Sequence, residues 1–198
     1  MVNTSAVAMN RRDAVARLLA VRDDALVVTG LGSPSYDVHA CGDRDANYYL
    51  WGAMGGAALV GLGLAQARPG QRVMVITGDG EQLMAMGSLA TIRVARPTNL
   101  DIIVLDNQHY GETGMQGSHT GAGIDLSAVA AACGFAATGC VRTLDEVDAL
   151  SQRLRQPADG PRLFVLKVQA ENLPRSLPPR DAVFIKNRLR AHLGLAPC

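Results

Sequence analysis

Residues 73–116 read VMVITGDGEQLMAMGSLATIRVARPTNLDIIVLDNQHYGETGMQ, and this stretch decides the fold of the chain. Residues 73–77 and 100–105 are short apolar runs of the kind that form buried strands in a parallel sheet. Residues 81–96 carry apolar side chains on several sides and end before Pro97, which predicts one well-buried helix. A strand, a helix and a strand in this order form a right-handed crossover, so we expect both strands to end at the same sheet edge.

Each of these strands is followed by groups that suit a metal ion and a phosphate. Asp79 offers a carboxylate and Asn107 an amide oxygen, and Mg²⁺ prefers oxygen ligands. The helix expected from Glu81 would add free N–H groups, and Gly78 and Gly80 would leave room for an anion. The sequence therefore predicts a Mg²⁺–diphosphate site, with an ordinary aspartate turn and an unrelated asparagine as the alternative.

Strand and helix patterns alternate along the rest of the chain. This alternation predicts an α/β protein with a mostly parallel sheet and helices on both faces. The length of 198 residues suits one domain, placed at residues 10–198 after a disordered lead-in at residues 1–9. The further strands are predicted at residues 25–29, 135–138 and 163–168, and the further helices at residues 11–20, 56–67, 125–133, 143–155 and 181–193.

Composition limits the classes of function. With 19 Lys and Arg against 18 Asp and Glu, the chain has no excess of positive charge for binding nucleic acid. The four cysteines lack CxxC spacing, which predicts reduced thiols rather than a disulfide framework or a metal site. No uninterrupted apolar run is long enough to span a membrane, so we expect a cytoplasmic protein without membrane contact.

Two glycine-rich segments upstream are candidates for contact with a ligand. The first, residues 30–35, follows a predicted strand and brings glycines and hydroxyls to its carboxyl end; a plain strand-to-helix turn with serine caps fits equally well. The second, residues 52–56, opens a helix with small residues at near-helical spacing. Close packing of that helix on the sheet is the alternative explanation for these glycines.

The motif residues resemble those of thiamine diphosphate (ThDP)-dependent enzymes. Gly78-Asp79-Gly80 is followed after 26 residues by Asn107, which is similar to the ThDP motif of that family. The pattern of residues 105–116 resembles the β subunits of sulfopyruvate decarboxylase and the matching part of phosphonopyruvate decarboxylase. The resemblance covers most of the chain, and it implies the doubly wound α/β fold of a ThDP-binding domain.

The resemblance also implies roles for individual residues. Mg²⁺ would be held by Asp79, Asn107 and the backbone carbonyl of His109. The carbonyl of Gly52 would accept a hydrogen bond from the 4′-amino group of the cofactor, and Met54 would wedge the cofactor into a V shape. The residues assigned to cofactor binding on this basis are Gly32, Ser33, Ser35, Gly52, Ala53, Met54, Gly78, Asp79, Gly80, Glu81, Asn107, His109, Tyr110 and Gly111.

The full-length enzymes of this family also have a pyrimidine-binding domain, whose glutamate protonates the cofactor ring. This chain has no room for that domain. The resemblance therefore implies the β subunit of a two-subunit ThDP- and Mg²⁺-dependent decarboxylase of a small 2-oxo acid, in an α/β hetero-oligomer with a homodimeric core and a pyrimidine-domain α subunit. The alternatives are the β subunit of a 2-oxoacid oxidoreductase and a non-catalytic module that binds ThDP or a Mg-nucleotide.

Polar residues on the loops at the predicted sheet edge are candidates for the reaction itself. A histidine with a pKa near neutrality can move a proton or meet an anionic substrate, which applies to His109 and His119. Glu112 lies on the same loop. Gly52, Met54, Glu112 and His119 are the residues assigned to catalysis, and a solvated loop position is the alternative for Glu112 and His119.

Overall fold

The computed structural model describes residues 9–197, which form a six-stranded sheet, a two-stranded ribbon and helices around them. The strands are β1 (Leu26–Thr29), β2 (Asn47–Tyr49), β3 (Val73–Gly78), β4 (Leu100–Asp106), β5 (His109–Tyr110), β6 (Gln116–Gly117), β7 (Ala137–Val141) and β8 (Arg162–Lys167). The helices are α1 (Arg11–Ala20), α2 (Ser33–Ala40), α3 (Ala57–Ala67), α4 (Asp79–Met84), α5 (Ser88–Ala95), α6 (Leu126–Cys133), α7 (Leu144–Leu154) and α8 (Ala182–His192). Within these residues, no helix has the length and apolar character needed to cross a membrane.

The large sheet is parallel throughout, with the strand order β2-β1-β3-β4-β8-β7. Successive residues of β3 point to opposite faces: Met74 packs in the core beneath α1, α2 and α7, whereas Val75 packs beneath α3, α5 and α6. Helices therefore cover both faces, which confirms the predicted doubly wound α/β fold.

The ends of several helices follow directly from local sequence. Asn10 caps α1 and Asp181 caps α8, each accepting hydrogen bonds from two backbone N–H groups of the first turn. Thr143 and Glu146 form a reciprocal capping box at the start of α7, as predicted. Strand β7 begins two residues later than its prediction because Phe135 is used as a buried core residue before the strand.

One of the two glycines of α3, Gly61, has a packing role. A Cβ atom at Gly61 would lie 2.3 Å from Cγ2 of Val75, so the helix could not approach β3 as closely with any other residue there. Gly63, in contrast, is exposed, and a Cβ added there would meet nothing within 4 Å, so close packing on the sheet explains Gly61 but not Gly63.

The N-terminal boundary of the fold differs from its prediction. Met9 was expected in the disordered lead-in, but its side chain is buried and its backbone forms an isolated bridge with Val168. Its carbonyl also accepts a hydrogen bond of 3.0 Å from Gln169. The prediction was wrong at Met9 because only the folded sheet provides this partner; residues 1–8 lie outside the described residues.

The prediction of a single helix at residues 81–96 is also wrong. The structure has two helices there, α4 and α5. The backbone leaves the helical conformation at Ala85, where α4 ends, and α5 starts after Gly87. The break allows α4 to begin at the sheet edge while α5 packs Leu89 and Ile92 on the sheet. It also leaves Met84 exposed to 65 %, although the prediction placed this side chain in a buried helix.

Candidate functional site

The carboxyl ends of β1 and β3 enclose the pocket that contains most of the predicted site. From β1 the chain continues through α2 to β2 on one side, and from β3 through α4 and α5 to β4 on the other. Parallel α/β sheets bind ligands in the crevice where the chain leaves neighbouring strands in opposite directions. The predicted site residues that line this pocket are Ser33, Met54, Gly78, Asp79, Gly80, Glu81, Asn107, His109, Tyr110, Gly111 and Glu112.

A larger cleft, of about 410 Å³, lies at the other end of the strands, but its chemistry has a structural explanation. It lies beside the C-terminal ends of α5, α6 and α7. Arg162 donates to the carbonyls of Arg153, Leu154 and Gln156 there. Basic side chains at helix C-termini satisfy the last carbonyls and the negative end of the dipole. We therefore place the functional site at the switch-point pocket.

Asp79 is the buried carboxylate of that pocket, only 2 % exposed. Its Oδ2 accepts a hydrogen bond from Ser118 and lies 3.0 Å from the hydroxyl of Thr120, which is also 2.8 Å from Asp106. Burial raises the pKa of Asp79, and the nearby charge of Asp106 raises it further. A dication at this carboxylate would offset both costs.

Asn107 and His109 lie at the end of β4 in a tight polar turn. The amide oxygen of Asn107 accepts a hydrogen bond of 2.9 Å from the backbone N–H of His109, whose ring Nδ1 lies 2.7 Å from the carbonyl of Asn107. Because His109 is expected to offer its backbone carbonyl, the predicted ligand set contains one carboxylate, one amide and one carbonyl oxygen. These are the ligands that Mg²⁺ accepts alongside phosphate oxygens.

Among the described residues, the pocket lacks the cluster of acidic, histidine and cysteine side chains that would hold a metal ion without a ligand. Within residues 9–197 no group of three or more such side chains is arranged to hold a metal ion. A site with a single carboxylate is consistent with a metal that shares its coordination with phosphate oxygens of a ligand. The predicted set therefore fits Mg²⁺ bound together with a diphosphate.

Glu81 has a role different from the one expected from its place after the glycine turn. Its side chain is 4 % exposed, and its carboxylate accepts hydrogen bonds from the backbone N–H of Leu31 at 3.0 Å and of Gly55 at 3.2 Å. Burial raises the pKa of this carboxyl. Gly30 lies so close that an added Cβ would be 1.8 Å from Glu81 Oε2. Glu81 thus bridges the β1–α2 turn, the turn at Gly55 and the start of α4.

Of the predicted residues 52–54, Met54 lies on the rim of the pocket, whereas Gly52 and Ala53 do not line it. Met54 lines it and is 40 % exposed, while Gly52 and Ala53 are exposed beside it. Gly52 has a φ of +71° and Gly55 a φ of +93°, values that favour glycine and turn the chain sharply on either side of Met54. The Met54 side chain is therefore held over the pocket by a turn on each side.

In the β1–α2 turn, Ser33 faces the pocket, whereas Ser35 and Gly32 shape the turn. Ser33 lines the pocket at the first position of α2. Ser35 is fully buried and donates to the carbonyl of Gly30 at 2.8 Å, so its hydroxyl shapes the turn rather than facing the pocket. Gly32 has a φ of +76°, and an added Cβ would lie 2.7 Å from Cγ of Glu112, which covers it.

The two loop residues assigned to catalysis differ in position. Glu112 lines the pocket, and its carboxylate accepts a hydrogen bond of 3.2 Å from Arg175. Its charge contributes to raising the pKa of Tyr36, although burial of the phenol is the larger cause. His119 does not line the pocket: it is exposed, and its Nδ1 lies 3.2 Å from the hydroxyl of Tyr110. His119 therefore reaches the site only through Tyr110.

Three polar residues of the site were missed by the sequence reasoning. Ser118 and Thr120 lie in a segment expected to be a flexible loop, yet each is 4 % exposed and directed at Asp79. Their spacing of two, which puts both side chains on one side of an extended segment, was the available signal. Arg11, which also lines the pocket, starts a helix that precedes β1 and so begins at the carboxyl edge of the sheet.

Gly80 should not tolerate a side chain. An added Cβ would lie 2.6 Å from the ring of Tyr110, whereas one at Gly78 would meet nothing within 4 Å. We expect Gly80→Ala to lower the free energy of unfolding by about 1–3 kcal/mol, the usual cost of overpacking. Thermal unfolding of Gly80→Ala and Gly78→Ala measures this difference. Equal melting temperatures for the two variants would show that Tyr110 does not confine the turn.

Comparison with known proteins identifies the family of the chain. The family described as thiamine pyrophosphate enzyme, C-terminal TPP binding domain, matches residues 35–168. The chain belongs to this family. Its matched region contains Met54, Asp79 and Asn107, so most of the predicted cofactor residues lie within the domain that the family defines.

Relatives of known function agree with this assignment. The chain is 44 % identical over 196 residues to phosphonopyruvate decarboxylase of Streptomyces viridochromogenes, covering 98 % of this chain and 48 % of that protein. It is 39 % identical over 164 residues to sulfopyruvate decarboxylase subunit beta of Methanothermobacter thermautotrophicus, covering 83 % of this chain and 84 % of that subunit. The chain thus spans about half of the first relative and most of the second.

Solved structures share the fold. Benzoylformate decarboxylase of Polynucleobacter necessarius superposes with a TM-score of 0.70 at 19 % identity, covering 88 % of this chain and 36 % of that one. A ThDP-dependent 4-hydroxybenzoylformate decarboxylase of Rhodococcus jostii gives a TM-score of 0.69 at 20 % identity, covering 86 % and 34 %. The predicted ThDP-binding fold is confirmed.

Proposed function

We propose that this chain is the diphosphate-binding β subunit of a two-subunit cytoplasmic enzyme that decarboxylates a small 2-oxo acid with ThDP and Mg²⁺. The proposal is carried by how much of each relative this chain aligns with. It covers 84 % of a sulfopyruvate decarboxylase β subunit but only 48 % of a phosphonopyruvate decarboxylase. From Met9 onward, the chain would form one diphosphate-binding domain. The names of these relatives favour a decarboxylase over the β subunit of an oxidoreductase.

The metal and the diphosphate would be held at the ends of β3 and β4. Asp79, Asn107 and the carbonyl of His109 would hold Mg²⁺, with Ser118 and Thr120 orienting the carboxylate of Asp79. Main-chain N–H groups at the start of α4, around Gly80 and Glu81, would meet the diphosphate. Tyr110 and Gly111, which also line the pocket, would complete this end of the site.

The rim of the pocket would set the shape of the cofactor. Gly52 would offer its carbonyl to the 4′-amino group, Ala53 would adjoin it, and Met54 would support the bend between the two rings. When bound, ThDP supplies the electron sink that decarboxylation of a 2-oxo acid requires. Glu112, at the pocket rim, is a candidate for contact with the substrate, while His119 would act on it only through Tyr110.

Exposed apolar side chains next to the pocket support a partner subunit. Met84 and Met86 are 65 % and 40 % exposed, and Met54 is 40 % exposed. A Cβ built at Gly55 would lie 3.6 Å from Cβ of Met84, so the Met54 turn adjoins the end of α4. Contiguous apolar surface beside a site is typical of an interface. A pyrimidine-domain α subunit would cover it, in an α/β hetero-oligomer with a homodimeric core.

The proposal is tested by co-expressing the chain with a pyrimidine-domain chain encoded beside it. We expect CO₂ release from a 2-oxo acid only when both chains, ThDP and Mg²⁺ are present. Sulfopyruvate, phosphonopyruvate and pyruvate should be compared as substrates. Decarboxylation by the isolated chain would refute the two-subunit arrangement. Tight ThDP binding by both chains without turnover of any 2-oxo acid would instead favour a non-catalytic binding module.

Met54→Ala should separate cofactor shape from cofactor binding. The diphosphate contacts are untouched, so we expect nearly unchanged ThDP affinity, but hydrogen–deuterium exchange at C2 of the cofactor should slow by about tenfold to 100-fold because its rings lose their support. Exchange is measured by NMR on the complex of both chains. Leu59→Ala, which removes another exposed apolar side chain from α3, is the control. Wild-type exchange in Met54→Ala would remove Met54 from this role.

A further inference from the structure

Arg11 has a buried guanidinium group, and neither the metal site nor the cofactor contacts described above involve it. It is 3 % exposed, begins α1 and lines the switch-point pocket. Its Nε donates to Asp37, and its Nη1 donates to the carbonyl of Glu171 at 3.2 Å. Among residues 9–197, Nη2 has no hydrogen-bond partner. Nη2 is also not one of the enclosed side-chain atoms that lack a partner, so this side of the guanidinium is open to the pocket, where a ligand can reach it.

The ion pairs of Arg11 do not fully neutralise the positive charge beside it. Asp37 is fully buried and accepts from Nε of both Arg11 and Arg12, the latter at 3.1 Å. One carboxylate thus faces two guanidinium groups. Because a single negative charge cannot neutralise both, one unit of positive charge remains at this wall of the pocket.

The rest of the pocket carries the opposite charge. Within residues 9–197, the other charged side chains that line it are the carboxylates of Asp79, Glu81 and Glu112, and Arg11 is the one lysine or arginine of this lining. A ligand with several negative charges would meet Mg²⁺ at Asp79 but no further cation except Arg11. A guanidinium edge matches the spacing of two oxygens on a phosphate, phosphonate or sulfonate.

We propose that Arg11 is an anion-binding residue of the pocket, whose outer N–H groups hold a tetrahedral oxyanion. The inference rests on the proposed function, because that function makes this pocket the ligand site. The oxyanion belongs either to the diphosphate of the cofactor or to a phosphonate or sulfonate tail of the substrate. Both have the same chemistry at Arg11, and binding measurements distinguish them.

Arg12 provides a matched control. Its side chain is 27 % exposed, pairs with the same Asp37 and donates to the carbonyl of Pro174 at 2.8 Å, but it does not line the pocket. Arg11→Gln and Arg12→Gln therefore each remove one positive charge from Asp37. Only the first removes a donor from the pocket.

The first arm measures binding of ThDP, and of inorganic pyrophosphate, in the presence of Mg²⁺ by calorimetry on the complex of both chains. If Arg11 holds the diphosphate, Arg11→Gln should weaken both by about tenfold or more, and Arg12→Gln by less than about threefold. This arm involves no turnover. A wild-type complex that binds pyrophosphate but decarboxylates nothing would therefore contradict the proposed function without contradicting the role of Arg11.

The second arm uses the ThDP-loaded complex and measures binding of 3-sulfopropionate, 3-phosphonopropionate and propionate. If Arg11 holds the substrate tail, Arg11→Gln should weaken the first two by about tenfold and leave propionate unchanged, with ThDP affinity intact. Arg11→Lys serves if Arg11→Gln does not fold. An ammonium lacks the planar pair of N–H groups that meets two oxygens at once, so it should weaken binding of the same probe. Wild-type affinity of the folded Arg11 variant for every probe would overturn the proposal.

Discussion

Asp79→Ala is expected to abolish Mg²⁺-dependent binding of ThDP, with a loss of affinity of about 100-fold or more. Asp79 is the carboxylate of the proposed ligand set, and Ser118 and Thr120 direct its Oδ2. Without it the metal would keep only the neutral oxygens of Asn107 and His109. Calorimetric titration of ThDP at saturating Mg²⁺ measures the loss. Unchanged affinity would show that the glycine–aspartate turn is not the metal site.

Asp79→Asn should separate metal binding from folding. Burial and the charge of Asp106 raise the pKa of Asp79 in the fold. Near neutral pH, the ionised carboxylate of Asp79 therefore lowers the stability of the metal-free fold relative to the unfolded chain. A neutral amide removes this cost and can still accept from Ser118 and Thr120. We therefore expect a melting temperature without Mg²⁺ at or above that of the wild type, together with lost metal binding.

Asp125→Asn is the matched control for Asp79→Asn. Asp125 caps α6, does not line the pocket, and an asparagine preserves the cap. It should bind Mg²⁺ and ThDP as the wild type does. A melting temperature of metal-free Asp79→Asn far below that of the wild type would show that the ionised carboxylate stabilises this turn by itself.

The parts of the fold that sequence could predict are those set by local patterns. Five-to-seven-residue apolar runs fix β3 and β4, and the right-handed crossover then brings Asp79 and Asn107 to one edge whatever the other contacts are. The caps at Asn10 and Thr143 depend on side chains within three residues of the helix start. The meeting of Asp79 and Asn107 at one sheet edge could therefore be predicted before any tertiary contact was known.

The errors and omissions depend on contacts that are distant in sequence. Met9 is ordered by Val168, and Ser118 and Thr120 reach Asp79 across about 40 residues. No proline marks the break between α4 and α5, and a single glycine such as Gly87 is compatible with a continuing helix. The sequence therefore carries no clear signal of the break. In each case the deciding interaction forms only after the sheet edge has assembled.

Glu81 shows most clearly why the site could not be read completely from its motif. The residue after the glycine turn was expected to meet the diphosphate through main-chain groups, and that contact stays a prediction. Its side chain, however, bonds to Leu31 and Gly55, which lie 50 and 26 residues away in the sequence. The carboxylate therefore connects three segments of the pocket that the motif alone leaves independent.

Glu81→Ala is expected to destabilise the protein before any cofactor is added. The backbone N–H groups of Leu31 and Gly55 would lose a charged acceptor. Because both residues are half-buried beside the pocket, we expect a loss of about 1–3 kcal/mol for the two together. The two turns would also lose their fixed spacing from α4, so ThDP affinity should fall as well. Glu112→Ala is the contrast, because it removes a carboxylate from the same pocket that pairs with Arg175 at the surface.

Comparing the loss of stability with the loss of ThDP affinity shows whether Glu81 bridges the turns or contacts the cofactor. If Glu81 bridges the turns, the melting temperature of cofactor-free Glu81→Ala falls well below that of Glu112→Ala, and high ThDP concentrations recover part of the difference because binding stabilises the folded state. If its carboxylate instead contacted the cofactor, removing it would leave the cofactor-free melting temperature unchanged and reduce only the affinity. Thermal unfolding with and without ThDP and Mg²⁺ therefore decides whether Glu81 acts on the cofactor directly or through Leu31 and Gly55.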